Sequence, residues 1–119
     1  MTSYPRASLR IELGRERRVG PGKIRLLELI RSTGSISAAA RQMEMSYRRA
    51  WLLVDELNRL FGAPVVTTQL GGSHGGGAAL TALGTDLVTR FRALERAAEP
   101  LVAEHLGPLE SVAAKAATD

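Results

Sequence analysis

The spacing of apolar side chains changes period several times along the 119 residues, and each change marks a boundary between elements. Ser8-Leu9-Arg10-Ile11-Glu12-Leu13 alternates apolar and polar positions, which predicts a strand over 8–13 with one buried face. The basic stretch Gly14–Gly22 is bracketed by turn formers and is expected to be a loop. Pro21 suits the first turn of a helix. Ile24, Leu27 and Ile30, widened by Leu26 and Leu29, then form a helical stripe over 23–33. Gly34 is placed to end that helix.

Two helical segments with a very short connection follow. Ser35 or Ser37 can cap the first, over 36–44, whose Ala38-Ala39-Ala40 run lets another backbone approach closely. Glu44-Met45 forms the turn, and Ser46 caps a second helix over 46–61 that Gly62 stops. Tyr47, Ala50, Val54, Leu57 and Phe61 recur at three- and four-residue steps and share one face, with Arg48, Arg49, Asp55, Glu56 and Arg59 on the other. Pro64–Gln69 is β-branched and reads as a strand, Ala78–Thr81 as its return, so 64–81 is expected to be a hairpin. A long helix over 82–106 closes the pattern, with Leu83, Leu87, Phe91, Leu94, Ala98, Leu101 and His105 in register and a kink possible at Pro100. Beyond Gly107 the small, polar tail is expected to fray. The fold class is therefore mainly α with a small β wing: one domain over 1–119, a winged helix-turn-helix with a long C-terminal dimerisation helix.

Composition narrows what such a fold can do. With 45 % hydrophobic residues a core can form, and with 4 % aromatic it must rest on aliphatic side chains. The formal charge is +4, and seven bases stand against Glu12 and Glu16 in residues 1–25, while acids outnumber bases from Asp86 onward. The basic N-terminal part suits a polyanion. Cysteine is absent, and with only His74 and His105 no familiar zinc spacing arises, so neither metal nor cofactor is expected. Ser, His and acids are present, but nothing in the sequence assembles them into a catalytic triad, so no enzyme activity is expected. No apolar run approaches a membrane span and the N-terminus lacks a signal-peptide core, so a cytoplasmic location is expected.

The chemistry lies in the paired helices. In a helix-turn-helix the second helix protrudes, so its first residues reach base edges in the major groove of double-stranded DNA. Here those residues are Ser46, Tyr47, Arg48 and Arg49, at a helix end whose free N–H groups favour phosphate. Arg48 or Arg49 can grip a guanine edge or lie along the backbone. Tyr47 sits at the edge of the apolar stripe, where a packed ring is favoured over a base contact, and Trp51 is expected to be structural. Ser35, Ser37 and Arg41 of the preceding helix complete that side. Ser73, His74 and Gly75 tip the glycine-rich hairpin, whose backbone can approach a phosphate or the minor groove. A merely flexible turn is the plainer reading of that hairpin, and a phosphate cradle of the P-loop type is excluded because its Lys-Ser/Thr ending is missing. Leu87, Phe91, Leu94, Ala98 and Leu101 extend further than a small winged domain can cover, which predicts a homodimer through the last helix. The alternative is a winged-helix protein-interaction module that does not bind DNA.

Ser35-Ile36-Ser37-Ala38-Ala39-Ala40, Ser46-Tyr47-Arg48-Arg49-Ala50-Trp51, Asp55-Glu56-Leu57-Asn58, Pro64-Val65-Val66 and Gly71–Ala78 with Leu80-Thr81 and Gly84 resemble the N-terminal DNA-binding domain of the ModE family of molybdate-dependent transcriptional regulators, itself related to LysR-type reading heads. The resemblance covers about Gly22–Glu99. It implies a winged helix-turn-helix, dimerisation through flanking helices, and DNA contacts from Ser46–Arg49 and the glycine wing. The oxyanion sites of that family lie in C-terminal domains with no matching positions in these residues, so molybdate binding is not expected here, even if the genes controlled concern molybdate or another metal oxyanion.

Overall fold

The computed structural model describes residues 6–69 and 77–118. The elements in chain order are β1 (Ile11–Gly14), β2 (Arg17–Val19), α1 (Pro21–Thr33), α2 (Ile36–Gln42), α3 (Tyr47–Asn58), β3 (Val66–Gln69), β4 (Gly77–Leu80) and α4 (Ala82–Thr118). The two strand pairs form separate antiparallel two-stranded sheets.

Helix α1 is the hub, and α2, α3, α4 and β4 all pack on it. Pro21 occupies its first turn, where a missing N–H costs nothing, and Gly34 ends it in the left-handed region at φ 72°, donating its N–H to the Ile30 carbonyl. Ile24, Leu26, Leu27 and Ile30 are fully buried, joined by Ala39, Ala40, Ala50, Val54, Leu57 and Val65 from the surrounding elements. The alanines of α2 and α3 are what allow the paired helices to sit close together.

The β3–β4 hairpin is held at its base by two side chains, Asn58 and Thr81. Asn58 Oδ1 accepts from the backbone N–H of Val65 at 2.8 Å and of Val66 at 2.9 Å, and its Nδ2 donates to the Val66 carbonyl at 3.3 Å. Thr81 Oγ1 donates to the Pro64 carbonyl at 2.8 Å while accepting from the Gly84 N–H at 3.0 Å, so it caps α4 and fixes the hairpin at once. Gly84 lies so near the Val65 carbonyl that a Cβ there would sit 2.2 Å from its oxygen. Helix α4 is then locked to α1 by Arg92, which donates to Glu28 at 2.8 and 3.2 Å and to Glu95 at 2.7 Å. The Arg92 hydrogen bond outweighs burial and holds the Glu28 carboxyl below its usual range.

Four expectations are corrected here. The stretch expected to be loop contains β2, which pairs with β1 in the register Ile11↔Val19 and Glu12↔Arg18, so the N-terminal strand is half of a hairpin and starts at Ile11. Only Val19 of β2 is buried, which is why the stretch carries no hydrophobic signature of a strand. Helix α3 ends at Asn58 and not at residue 61: Arg59 and Leu60 donate their N–H groups three residues back, and this tighter winding shifts the phase. Leu60 therefore enters the core while Phe61, expected there, is 42 % exposed. Helix α4 runs on through Pro100, Gly107 and Pro108 to Thr118 instead of stopping at 106, because the residues after Gly107 are rich in alanine, the strongest helix former. Phe91, expected to serve a partner chain, is 4 % exposed and belongs to this chain's own core.

Candidate nucleic-acid interface

The α2–turn–α3 unit is built from local signals. Ser35 caps α2 by accepting from the Ala38 N–H at 3.1 Å, and Ser46 caps α3 by accepting from the Arg49 N–H at 3.0 Å. Between them the chain reverses at Glu44, whose φ of 56° is left-handed. The Met45 N–H bonds back to the Ala40 carbonyl at 3.0 Å, closing the turn. Ser46, Tyr47, Arg48 and Arg49 are all exposed, so the positive end of the α3 dipole faces outward with two guanidinium groups beside it. Among the described residues no carboxylate lies within ion-pair distance of Arg48 or Arg49.

Tyr47 departs from the packing expected of it. Its ring is 55 % exposed and stands edge-to-face against Trp51, with centroids 6.2 Å apart and planes at 85°. Trp51 is itself 38 % exposed, so the pair forms an aromatic ledge on the surface of α3 and does not seal a helix boundary. On α2, Ser37 and Arg41 share one surface, Arg41 Nη1 donating to Ser37 Oγ at 3.4 Å. Ser35 is half-buried, its oxygen occupied by the cap. Ser73, His74 and Gly75 lie outside the described residues.

A feature that sequence reasoning missed lies beside α3. The β1–β2 hairpin and the start of α1 face Arg49, Leu53 and Glu56 of α3 across an open groove of about 1090 Å³. Arg10, Arg15, Arg17 and Arg18 line its other wall. Arg17 anchors the hairpin by donating from Nε to the Leu60 carbonyl at 2.9 Å and from Nη2 to the same oxygen. The clustering of bases in residues 1–25 was visible, but not that a hairpin would fold them against α3.

The model of the family "Bacterial regulatory helix-turn-helix protein, lysR family" matches residues 22–85, more than half of the chain, spanning α1 to the first turn of α4. This chain belongs to that family. Among its relatives, this LysR-type chain is 49 % identical over 78 residues to the molybdenum-pterin-binding protein MopB of Rhodobacter capsulatus, covering 66 % of this chain and 29 % of MopB. It is 36 % identical over 98 residues to the DNA-binding transcriptional dual regulator ModE of Escherichia coli K12, covering 79 % of this chain and 37 % of ModE. The chain thus spans about a third of the length of these relatives. The crystal structure of a MarR family transcription regulator superposes with a TM-score of 0.56 at 21 % identity, over 87 % of this chain and 69 % of that one, a likeness of fold. The resemblance to ModE regulators and the winged helix-turn-helix fold expected from the residues are thus both found. Among the described residues, no helix is long and apolar enough to cross a membrane, and no three potential ligands cluster to hold a metal ion.

Proposed function

We propose that this chain reads double-stranded DNA as a homodimer in the regulation of transcription, and that the genes it serves concern molybdenum. The single observation that carries the reading is the Ser46-capped start of α3, outward-facing and flanked by Arg48 and Arg49, which have no acidic partner within ion-pair distance among the described residues. In this reading α3 enters the major groove, where one of the two arginines takes a guanine edge and the other a phosphate. Tyr47 supplies an exposed apolar edge suited to a thymine methyl. Ser35, Ser37 and Arg41 meet the backbone beside α2, and Ser73, His74 and Gly75 reach the flanking backbone or minor groove. The relatives, a molybdenum-pterin-binding protein and a DNA-binding transcriptional dual regulator, support the regulatory setting.

The dimer reading rests on α4. Its 37 residues extend about 55 Å, yet among the described residues no side chain beyond Phe91 is fully buried by this chain. Leu94 and Leu101 are 46 % and 55 % exposed, one heptad apart with half-buried Ala98 between them. A second copy would cover this stripe and space two α3 helices by about one DNA turn, roughly 34 Å. Leu87 borders the stripe but leans on its own core, and Phe91 has no part in it.

The test is duplex binding by this chain across a salt series, with Arg48→Ala and Arg49→Ala beside it. Whichever arginine reads a base should lose about 1–3 kcal/mol on an operator isolated by selection and much less on random sequence. A folded chain that binds no duplex at any salt concentration would refute the reading and leave protein docking in its place.

A further inference from the structure

The groove beside α3 holds more positive charge than the fold requires. Lys23 is largely buried and satisfied by Glu56 at 3.0 Å and by the Arg18 carbonyl at 2.8 Å. Arg59 is paired with Asp55 at 2.7 Å. Arg18 lies 4.0 Å from an exposed Glu12, a surface ion pair of little worth. Arg10, Arg15 and Arg49 have no acidic partner within ion-pair distance among the described residues. Arg10, Arg15, Arg18 and Arg49 thus converge on one concave surface without a close ion pair, and Glu16 is the one acid of its lining left unpaired among the described residues. Such crowding of like charge costs the folded chain some stability, and a bound polyanion relieves it.

Position decides which polyanion. At about 100° per residue, Arg49, Leu53 and Glu56 fall on one flank of α3, and Tyr47, Trp51 and Asn58 on the opposite one. Asn58 carries the β3–β4 hairpin, and the groove with the β1–β2 hairpin runs along Arg49, Leu53 and Glu56. Two hairpins therefore flank the proposed reading helix on opposite sides. Arg17 fixes the N-terminal one through the Leu60 carbonyl, which leaves Arg15 and Arg18 projecting from a braced support.

We propose that the β1–β2 hairpin is a second wing: a phosphate clamp in which Arg10, Arg15 and Arg18, with Arg49, hold the DNA backbone on the flank of α3 away from the β3–β4 hairpin. This rests on the proposed reading of duplex DNA by α3. The clamp touches phosphate only, so it adds affinity and salt dependence without sequence preference.

The experiment uses the full chain, a fluorescein-labelled duplex of mixed sequence and the selected operator, titrated over roughly 50–200 mM salt. The double variant Arg15→Ala/Arg18→Ala should flatten the slope of log K against log salt by about 0.9 for each phosphate no longer held, up to about 1.8. Binding to both duplexes should weaken by the same factor, on the order of tenfold. Arg15→Lys/Arg18→Lys should restore most of it, since a phosphate accepts either cation. Both positions are exposed, and the thermal transition should not fall below the wild-type temperature, since removing like charge relieves repulsion. A wild-type slope and affinity in the alanine variant, while Arg48→Ala weakens operator binding, would remove the clamp and leave the proposed function standing. A loss confined to the operator would also overturn it, because the hairpin would then be reading bases. Absence of salt-dependent binding by the wild-type chain would remove both readings together.

Discussion

Gly84→Ala offers a case in which local propensity and packing predict opposite signs. Gly84 is the third residue of α4, and replacing a helical glycine by alanine favours the helix by up to about 1 kcal/mol. A Cβ at that position, however, would stand 2.2 Å from the Val65 carbonyl oxygen, 1.2 Å short of the 3.4 Å at which ordinary contact begins. That oxygen cannot easily retreat. It accepts the Thr81 N–H at 2.9 Å, the Val65 N–H is held by Asn58 at 2.8 Å, and the Val65 side chain is fully buried. Overpacking of this kind costs typically 1–3 kcal/mol and at times more, and moving α4 away loosens the Thr81 cap by about 1 kcal/mol. Packing wins, with a net loss of about 1–3 kcal/mol after the propensity gain. For a chain of this size that lowers Tm by roughly 4–12 °C. Gly22→Ala is the matched control, since nothing lies within 4 Å of its added Cβ; it should leave Tm unchanged or raise it by a few degrees, about the helix-propensity gain. Melts followed by circular dichroism, at one fixed protein concentration because the proposed self-association would shift Tm, decide between them. A Gly84→Ala chain as stable as wild type would refute the packing argument.

Asn58→Ala strips the acceptor from two backbone N–H groups at the root of the hairpin and should cost about 2–4 kcal/mol, whereas Asn58→Asp, which keeps the accepting oxygens, should cost less; equal melting of both variants would show that these bonds carry no weight. Arg92→Met should lower stability at neutral pH by about 1–2 kcal/mol by stranding a partly buried carboxylate. Because the folded chain holds the Glu28 carboxyl below 4.5, the stability it adds is present above that range and lost as pH falls through the lowered value. Denaturant titrations should therefore show a shallower acid decline in Arg92→Met than in wild type, and identical acid limbs would contradict the assignment. Leu94→Lys/Leu101→Lys should leave the fold intact and weaken self-association more than tenfold in sedimentation velocity, given about 1.5–3 kcal/mol for each leucine buried; unchanged association would move the dimer contact elsewhere.

The helices and the hairpin at 64–81 were legible because each is specified locally. Ser35, Ser46, Gly34 and Pro21 are capping signals whose chemistry does not depend on the rest of the chain, and the structure places all four at helix ends. What escaped the sequence depends on distant partners. β2 exists because Arg17 finds the Leu60 carbonyl 43 residues away, and nothing in the string of charges from Arg15 to Arg18 announces that bond. The phase slip after Asn58, which exchanges Leu60 for Phe61, arises from the same junction. In the sequence the stripe on α4 is one continuous surface, but it divides near Phe91, where this chain's own core ends. The periodicity of a helix shows that a face is apolar and leaves open which body covers it. For the candidate site, the exposed arginines of α3 were legible from the cap and the helical wheel, while the groove beside them was not, because it is a product of tertiary packing.

On the proposed reading, the Ser46 end of α3 meets the nucleic acid. Chemical-shift mapping of the isotopically labelled chain during titration with an operator duplex tests it directly. The largest amide shifts are expected at Ser46–Arg49, with a second group at Arg15–Arg18 and little change along the middle of α1. Saturable binding that leaves the Ser46–Arg49 amides unmoved, with the shifts gathered on α4 or elsewhere, would contradict it.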